Sequence, residues 1–192
     1  MPCRCCQTAT STSTPAVGGY FLLDDHHGNR VDAFTFGSRL LLLLFGFTHC
    51  GVVCPRELAK VDAALDQLGN EARRIQPLYV TVDPERDSPD ALRRYLANRP
   101  RFIGLTGTRA EIDAIKRSFK VFAERRDDAG EPGGYVVPHT TIAYLASPGG
   151  QVLAHFVDSV DAATLAMRLR KKLHEVDEPW GLALSEGEPY TS

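Results

Sequence analysis

The sequence predicts an α/β domain with a mixed central sheet flanked by helices and a leading N-terminal β-hairpin. Through the first two thirds of the chain, apolar runs of strand length alternate with helical patterns, which is typical of parallel strands joined by helices. The last third has two strand-like runs joined by the turn SPGG, which is typical of an antiparallel hairpin. A further turn, HHGN, separates two short runs near the N-terminus and predicts the leading hairpin.

The predicted elements begin with that hairpin, whose strands are YFLLDD and RVDAF. The run RLLLLLFGF (39–47) is apolar almost throughout, as a central strand covered on both faces must be. A helix follows, because apolar residues recur at 3-4-3 spacing and Gly69 supplies a stop. These residues are Leu58, Val61, Leu65 and Leu68. The next predicted strand is IQPLYVTVD (75–83).

Capping residues mark the starts of two further helices. Ser88 and Pro89 form an N-cap and first-turn pair, and we expect Pro100 to end the helix that they begin. The buried stripe of this helix is predicted to be Leu92, Tyr95 and Leu96. Thr108 and Glu111 form a capping box for the next helix.

The chain then has a hairpin and a final helix, and this order of elements fits the thioredoxin-like fold. The hairpin strands are TTIAYLA and QVLAHFVD, and the helix is expected from Asp161 to His174. We predict three segments: a flexible tail at residues 1–17, the domain at 18–174, and an acidic extension at 175–192 whose Trp180 packs back on the domain.

Composition excludes several functional classes. The formal net charge is −2, the pI is near 6.3, and no basic stripe follows a phosphate backbone, so we expect no nucleic-acid partner. The densest basic stretch, residues 116–126, is interpreted as a solvated helix face. No run reaches the ~20 apolar residues of a membrane-spanning helix, and the N-terminus has no readable secretory signal. We expect a soluble monomer without visible membrane association.

The cysteines fall in two groups. Cys3, Cys5 and Cys6 lie in the Ser/Thr-rich tail, which we interpret as a leader or lipidation remnant, with a second soft-metal site as the alternative. Cys50 and Cys54 follow the central strand, where open α/β sheets collect ligands. A helix N-terminus stabilises thiolates there and prepares them for metal binding or disulfide exchange. The polar context THCGVVCP disfavours two buried structural cysteines.

Three residues separate Cys50 from Cys54, whereas thioredoxin-type reductases use two. Because Pro55 disfavours helical dihedrals at the residue before it, Cys54 is a candidate helix cap and Cys50 belongs to the preceding loop. The sulfurs can then form a disulfide or bind one metal ion. A metal needs a further ligand, for which His139 is the first candidate and His49 the second. The remaining candidates are His26, His27, His155 and His174.

Four ordered motifs make the chain resemble a known family. FGFTHCGVVCPREL, VTVDPERDSP, RFIGLTGT and HTTIAYLASPGGQ together resemble the Sco/SenC family of copper chaperones, over about residues 17–174. The resemblance implies a thioredoxin-like domain that binds copper and helps assemble the dinuclear copper centre of cytochrome c oxidase. It also implies Cys50, Cys54 and His139 as copper ligands, with the turn at 83–84 near the site but not a ligand.

The same resemblance implies a location in the periplasm or otherwise outside the cytoplasm, although the membrane anchor usual in the family is not visible. Two departures from the family pattern concern the site. Gly51 and Val52 stand where proline and an acidic residue usually follow the first cysteine. Pro138 stands where an acidic residue commonly precedes the histidine, and the alternatives are a different placement of His139 or a cis bond at this proline.

Two thiolates and an imidazole suit Cu(I), with Cu(II) as the alternative, whereas structural zinc would want a fourth ligand that the sequence does not offer. The first hypothesis is a carrier that delivers copper to the oxidase subunit holding the dinuclear site, or exchanges it with another copper chaperone. The second is a thiol-disulfide oxidoreductase that uses Cys50 and Cys54 to reduce a partner's cysteines. We favour a carrier over an enzyme. A peroxiredoxin is disfavoured, because its proline and threonine pattern is missing from FGFTHC.

Overall fold

The computed structural model describes residues 17–130 and 133–177, which form nine strands and four α-helices. The strands are β1 (Leu22–Asp25), β2 (Arg30–Asp32), β3 (Leu40–Gly46), β4 (Ile75–Thr81), β5 (Ile103–Thr106), β6 (Arg126–Asp127), β7 (Tyr135–Val136), β8 (Ile142–Ala146) and β9 (Val152–Val157). The α-helices are α1 (Val53–Leu68), α2 (Pro89–Tyr95), α3 (Arg109–Ser118) and α4 (Ala162–Asp177). None of these helices is long and apolar enough to cross a membrane.

Seven strands form one mixed sheet in the order β2-β1-β5-β4-β3-β8-β9. β3, β4 and β5 run parallel, and the other pairings in the sheet are antiparallel. β6 and β7 form a separate two-stranded hairpin. The predicted mixed sheet, leading hairpin and C-terminal hairpin are thus confirmed, and the element order is that of a thioredoxin-like fold.

Both faces of the sheet are covered, which explains why β3 is apolar throughout. Leu42 and Leu44 belong to the core cluster that contains the buried residues of α1 and α4. Leu43 and Phe45 belong to the opposite cluster, which contains the buried residues of α3. Successive strand residues point to opposite faces, so a strand with helices on both sides must be apolar at every position.

The predicted helix starts are confirmed, and two predicted helix ends are wrong. The Ser88 hydroxyl accepts the Ala91 N–H at 3.2 Å, and Thr108 with Glu111 forms the capping box. α2 ends at Tyr95 rather than at Pro100, because the next residue leaves helical dihedrals.

The last helix runs three residues past its predicted end. α4 continues from His174 to Asp177, where the Asp177 carboxylate accepts a hydrogen bond from Arg74 at 2.7 Å. This contact ties the end of α4 to the start of β4. The predicted packing of Trp180 lies outside the described residues.

The His26 side chain links the leading hairpin to β5. Its contacts predict that the folded domain loses stability in acid. The Gly104 N–H donates to His26 Nδ1 at 2.7 Å, so this buried ring must stay neutral to accept. Burial lowers the pKa of His26, the neighbouring His27 and Arg93 lower it further, and Asp25 opposes them. The unfolded chain therefore takes up the proton more readily than the folded one.

We expect the full contribution of His26 to stability above about pH 6.5, its usual pKa, and a progressive loss as the pH falls below that value. Urea unfolding at pH 7.5 and 5.5 checks the difference. His26→Asn keeps an acceptor that does not titrate, so it should flatten the pH dependence. An equal loss of stability on acidification in the unchanged chain and in His26→Asn would contradict this role of His26.

Candidate metal centre

The two thiols lie at the carboxyl end of β3, on the loop and first turn that lead into α1. Cys54 is the second residue of α1 and is buried, whereas Cys50 lies in the loop and is partly exposed. The predicted role of Cys54 as helix cap is wrong, because α1 begins at Val53 and Pro55 still fits its first turn. The Cys54 N–H donates to Cys50 Sγ at 3.4 Å, which folds the loop back over the helix start.

Both thiols are free, and their environments separate their acidities. A hydrogen bond between the two side chains lowers the pKa of Cys54 to about 7, although burial of that thiol opposes the shift. The same bond, together with burial, raises the pKa of Cys50. Cys54 is therefore the sulfur of the pair that loses its proton first.

His139 reaches these thiols from a distant part of the chain. Its Nδ1 lies 2.9 Å from the Val137 carbonyl oxygen, and only a protonated Nδ1 can donate there. The Nε2 lone pair is then free, and this atom lies 4.0 Å from Cys54 Sγ. Metal-binding histidines usually hold their other ring N–H in this manner. The ring also packs edge-on against Phe47, with centroids 5.7 Å apart.

The other histidines have different surroundings. His49 is exposed, and its ring nitrogen contacts the Thr48 hydroxyl at 3.1 Å. His155 is exposed on β9, and His174 lies 3.0 Å from the Glu71 carboxylate. Among the described residues, His139 is thus the histidine whose contacts include a thiol. The tail cysteines lie outside the described residues.

The turn at residues 83–87 connects the cysteine loop to the histidine segment. The fully buried Asp87 carboxylate accepts the Thr48 N–H at 3.0 Å, the Thr48 hydroxyl at 2.6 Å and the Thr81 hydroxyl at 2.7 Å. The buried Asp83 carboxylate accepts the Tyr135 hydroxyl at 3.0 Å. Arg86 stacks on the Tyr135 ring at 3.7 Å. The turn therefore fixes the position of the cysteine loop relative to the segment that carries His139.

Sequence reasoning placed the turn near the site but missed this role. The polar run DPERD after an apolar strand is a signal for Asp87, whereas no local pattern marks Tyr135.

Replacing Tyr135 with phenylalanine tests this connection. The ring and its stacking on Arg86 remain, whereas Asp83 loses one hydroxyl donor, so we expect a loss of about 1–2 kcal/mol in the free energy of unfolding. Hydrogen exchange should accelerate locally at residues 135–139. Acceleration spread evenly over the domain would contradict a local anchoring role.

The space around the thiols is small and mainly apolar. A cavity beside Cys54 is lined by Tyr79, His139, Glu57, Thr141 and apolar side chains. Glu57 is engaged by Lys60 at 2.7 Å, which makes it a poor extra ligand. Within residues 17–130 and 133–177, no three His, Cys, Asp or Glu side chains are already arranged to hold a metal ion. Binding by both thiols and the imidazole therefore requires a local adjustment.

The departures at Gly51, Val52 and Pro138 leave the fold intact. Val52 is 72% exposed beside the thiols, and a methyl group at Gly51 would contact nothing within 4 Å. Pro138 is exposed, and no cis peptide bond occurs among the described residues, so the expected cis bond is wrong.

Comparisons with known proteins agree on one family. The SCO1/SenC family model matches residues 9–174. The human protein named "SCO1 homolog, mitochondrial" is 38% identical over 145 residues, which cover 74% of this chain and 48% of that protein. The chain spans about half the length of the curated relatives it matches.

Solved structures give the same result. Copper-bound ScoI from Arabidopsis thaliana is 33% identical with a TM-score of 0.78, covering 83% of this chain and 99% of that one. Copper-bound yeast Sco1 is 29% identical with a TM-score of 0.74, covering 92% and 97% of the two chains.

Proposed function

Because the chain belongs to the SCO1/SenC family, we propose that it carries one copper ion on Cys50, Cys54 and His139 and hands it to another protein. The observation that carries this proposal is the 4.0 Å approach of His139 Nε2 to Cys54 Sγ. Copper is bound in similar proteins of known structure. Here it is the cargo, and the recipient we propose is the cytochrome c oxidase subunit with the dinuclear copper site, with another copper chaperone as an exchange partner.

The donor set fits Cu(I). Two soft sulfurs and one imidazole make a site of low coordination number. Among the described residues, Glu57 beside the site is already paired with Lys60 and is a poor fourth donor for zinc. Cu(I) is the proposed oxidation state, with Cu(II) as the alternative.

Each ligand has a separate task in this proposal. Cys54, buried and with a pKa near 7, supplies a thiolate at neutral pH. His139 presents Nε2 because Val137 holds its other nitrogen. Cys50 is partly exposed and lies on the loop, so an incoming protein can reach it more readily than the buried Cys54. Phe47 packs edge-on against the imidazole and supports its orientation.

A location outside the cytoplasm forms part of the proposal. The human relative is named as mitochondrial. An oxidising compartment would join Cys50 to Cys54, so loading would require a reductant.

Titration of the reduced chain with Cu(I) against a competing chelator tests the function. We expect one tightly held ion, and affinity unchanged by Cys50→Ala would count against the proposal. A variant with the tail cysteines replaced by serine separates any tail site. These cysteines are Cys3, Cys5 and Cys6.

A second candidate function, a thiol-disulfide reductase, is favoured by the two adjacent free thiols and the lowered pKa of Cys54. One thiolate would attack a partner's disulfide, and the other would resolve the mixed disulfide. The partner gains two electrons and two protons, and Cys50 and Cys54 become a disulfide. Turnover of a partner disulfide that survives His139→Ala would identify this activity, because exchange needs no imidazole ligand.

A further inference from the structure

One buried hydroxyl beside the thiols has no hydrogen-bond partner. Tyr79 lies on β4 with 1% of its surface exposed, and its hydroxyl oxygen is buried without a partner among the described residues. An unsatisfied buried hydroxyl is costly, and a phenylalanine would fill the same apolar space without that cost. The hydroxyl therefore has a use that the free dithiol form does not reveal.

The surroundings of Gly46 show which atom this hydroxyl faces. A methyl group built on Gly46 would lie 2.8 Å from Cys54 Sγ and would also collide with the Tyr79 hydroxyl oxygen. The sulfur and the hydroxyl thus converge over the one residue of β3 that has no side chain. Consistent with this placement, the Tyr79 hydroxyl lowers the pKa of Cys54, although this effect is smaller than the lowering by Cys50 and the opposing effect of burial.

We propose that Tyr79 is a positioning residue whose hydroxyl donates a hydrogen bond to the Cys54 sulfur when that sulfur acts as a metal ligand, an inference that rests on the proposed function. A thiolate sulfur accepts a hydrogen bond better than a thiol, because it carries the negative charge. Loading then satisfies the hydroxyl and fixes the sulfur against the end of β3. Because the hydroxyl gains this hydrogen bond only when the metal is bound, the bond increases the affinity for copper.

Tyr79→Phe in the full chain tests the inference. We expect Cu(I) affinity, measured by chelator competition, to fall about tenfold, the equivalent of one hydrogen bond. At pH 5.5, where Cys54 is a thiol, the free energy of unfolding of the metal-free protein should stay the same or rise, because an unsatisfied hydroxyl disappears. A merely structural tyrosine would instead lose stability and keep its copper affinity.

Tyr95→Phe is the matched control. Its ring packs 5.5 Å from that of Tyr79, and its hydroxyl is also buried without a hydrogen-bond partner among the described residues. The three atoms nearest to a methyl group built on Gly46 belong to Tyr79 and Cys54 rather than to Tyr95. This variant should keep the affinity of the unchanged protein. An equal loss in both variants, or no loss in Tyr79→Phe, overturns the inference.

A second readout separates this inference from the function on which it rests. The ratio of dithiol to Cys50–Cys54 disulfide at a fixed glutathione poise needs no copper. At pH 8 the reduced form contains the Cys54 thiolate that the hydroxyl stabilises, so we expect Tyr79→Phe to lower this ratio several-fold. If the unchanged chain fails to bind Cu(I), the carrier function falls and this ratio still decides the role of Tyr79. If copper binds equally to both proteins and the ratio is unchanged, the carrier function stands and the role of Tyr79 is refuted.

Discussion

Replacing Cys54 with serine should lower the Cu(I) affinity of the reduced protein by more than about 100-fold. This loss is larger than the one expected from substituting a residue that only supports the metal ligands. Serine keeps the size of the side chain but offers a hard, protonated oxygen in place of a soft thiolate. His139→Ala should have a similar effect, because its Nε2 lies 4.0 Å from that sulfur. Chelator competition at neutral pH measures both variants.

A matched control is available on the same sheet. His155 is exposed on β9 and away from the thiols in the fold, so His155→Ala should bind Cu(I) as the unchanged chain does. If Cys54→Ser keeps full affinity while its fold is intact by circular dichroism, the ligands lie elsewhere and the proposed site is wrong.

Replacing Asp87 with alanine should cost about 3 kcal/mol or more in the free energy of unfolding. The substitution leaves three donors without their acceptor, namely the buried hydroxyl of Thr81 and the partly buried N–H and hydroxyl of Thr48. Burial raises the pKa of Asp87, so removing the carboxylate also relieves a desolvation cost. The three lost hydrogen bonds outweigh that relief. Urea denaturation gives the comparison.

Asp90 provides the matched control for Asp87. It lies in the first turn of α2 and forms an exposed ion pair with Arg93 at 2.7 Å. Asp90→Ala should change stability by no more than about 0.5–1 kcal/mol. Equal effects of the two substitutions would show that the turn at 83–87 does not hold the cysteine loop.

Local sequence signals predicted most of the elements, because the forces that start them act over a few residues. The apolar run of β3 reflects the burial of both faces of that strand. The hydroxyls of Ser88 and Thr108 accept hydrogen bonds from helix N–H groups three residues later. The end of α2 was missed because Leu96 and the turn after it are set by packing into the core rather than by Pro100.

The contacts that arrange the candidate site were harder to predict. Thr48 meets Asp87 across 39 positions, and Tyr135 meets Asp83 across 52. No short motif encodes such pairs in a single sequence. The β6–β7 hairpin was missed for a related reason, because its strands are two residues each and carry no periodic pattern. The family resemblance implied the ligands, whereas the supporting Tyr79 hydroxyl became visible only with coordinates.

The thiol and the imidazole that meet at the end of β3 lie 85 positions apart in the chain. A denatured polypeptide does not hold these two donors together, so copper bound at the proposed site would favour the native state. At a free copper concentration of 100 times the dissociation constant, bound copper would raise the free energy of unfolding by about 2.7 kcal/mol. Scarcity of the metal would leave a less stable chain that proteases degrade faster, so the cellular level of this protein would itself follow the copper supply.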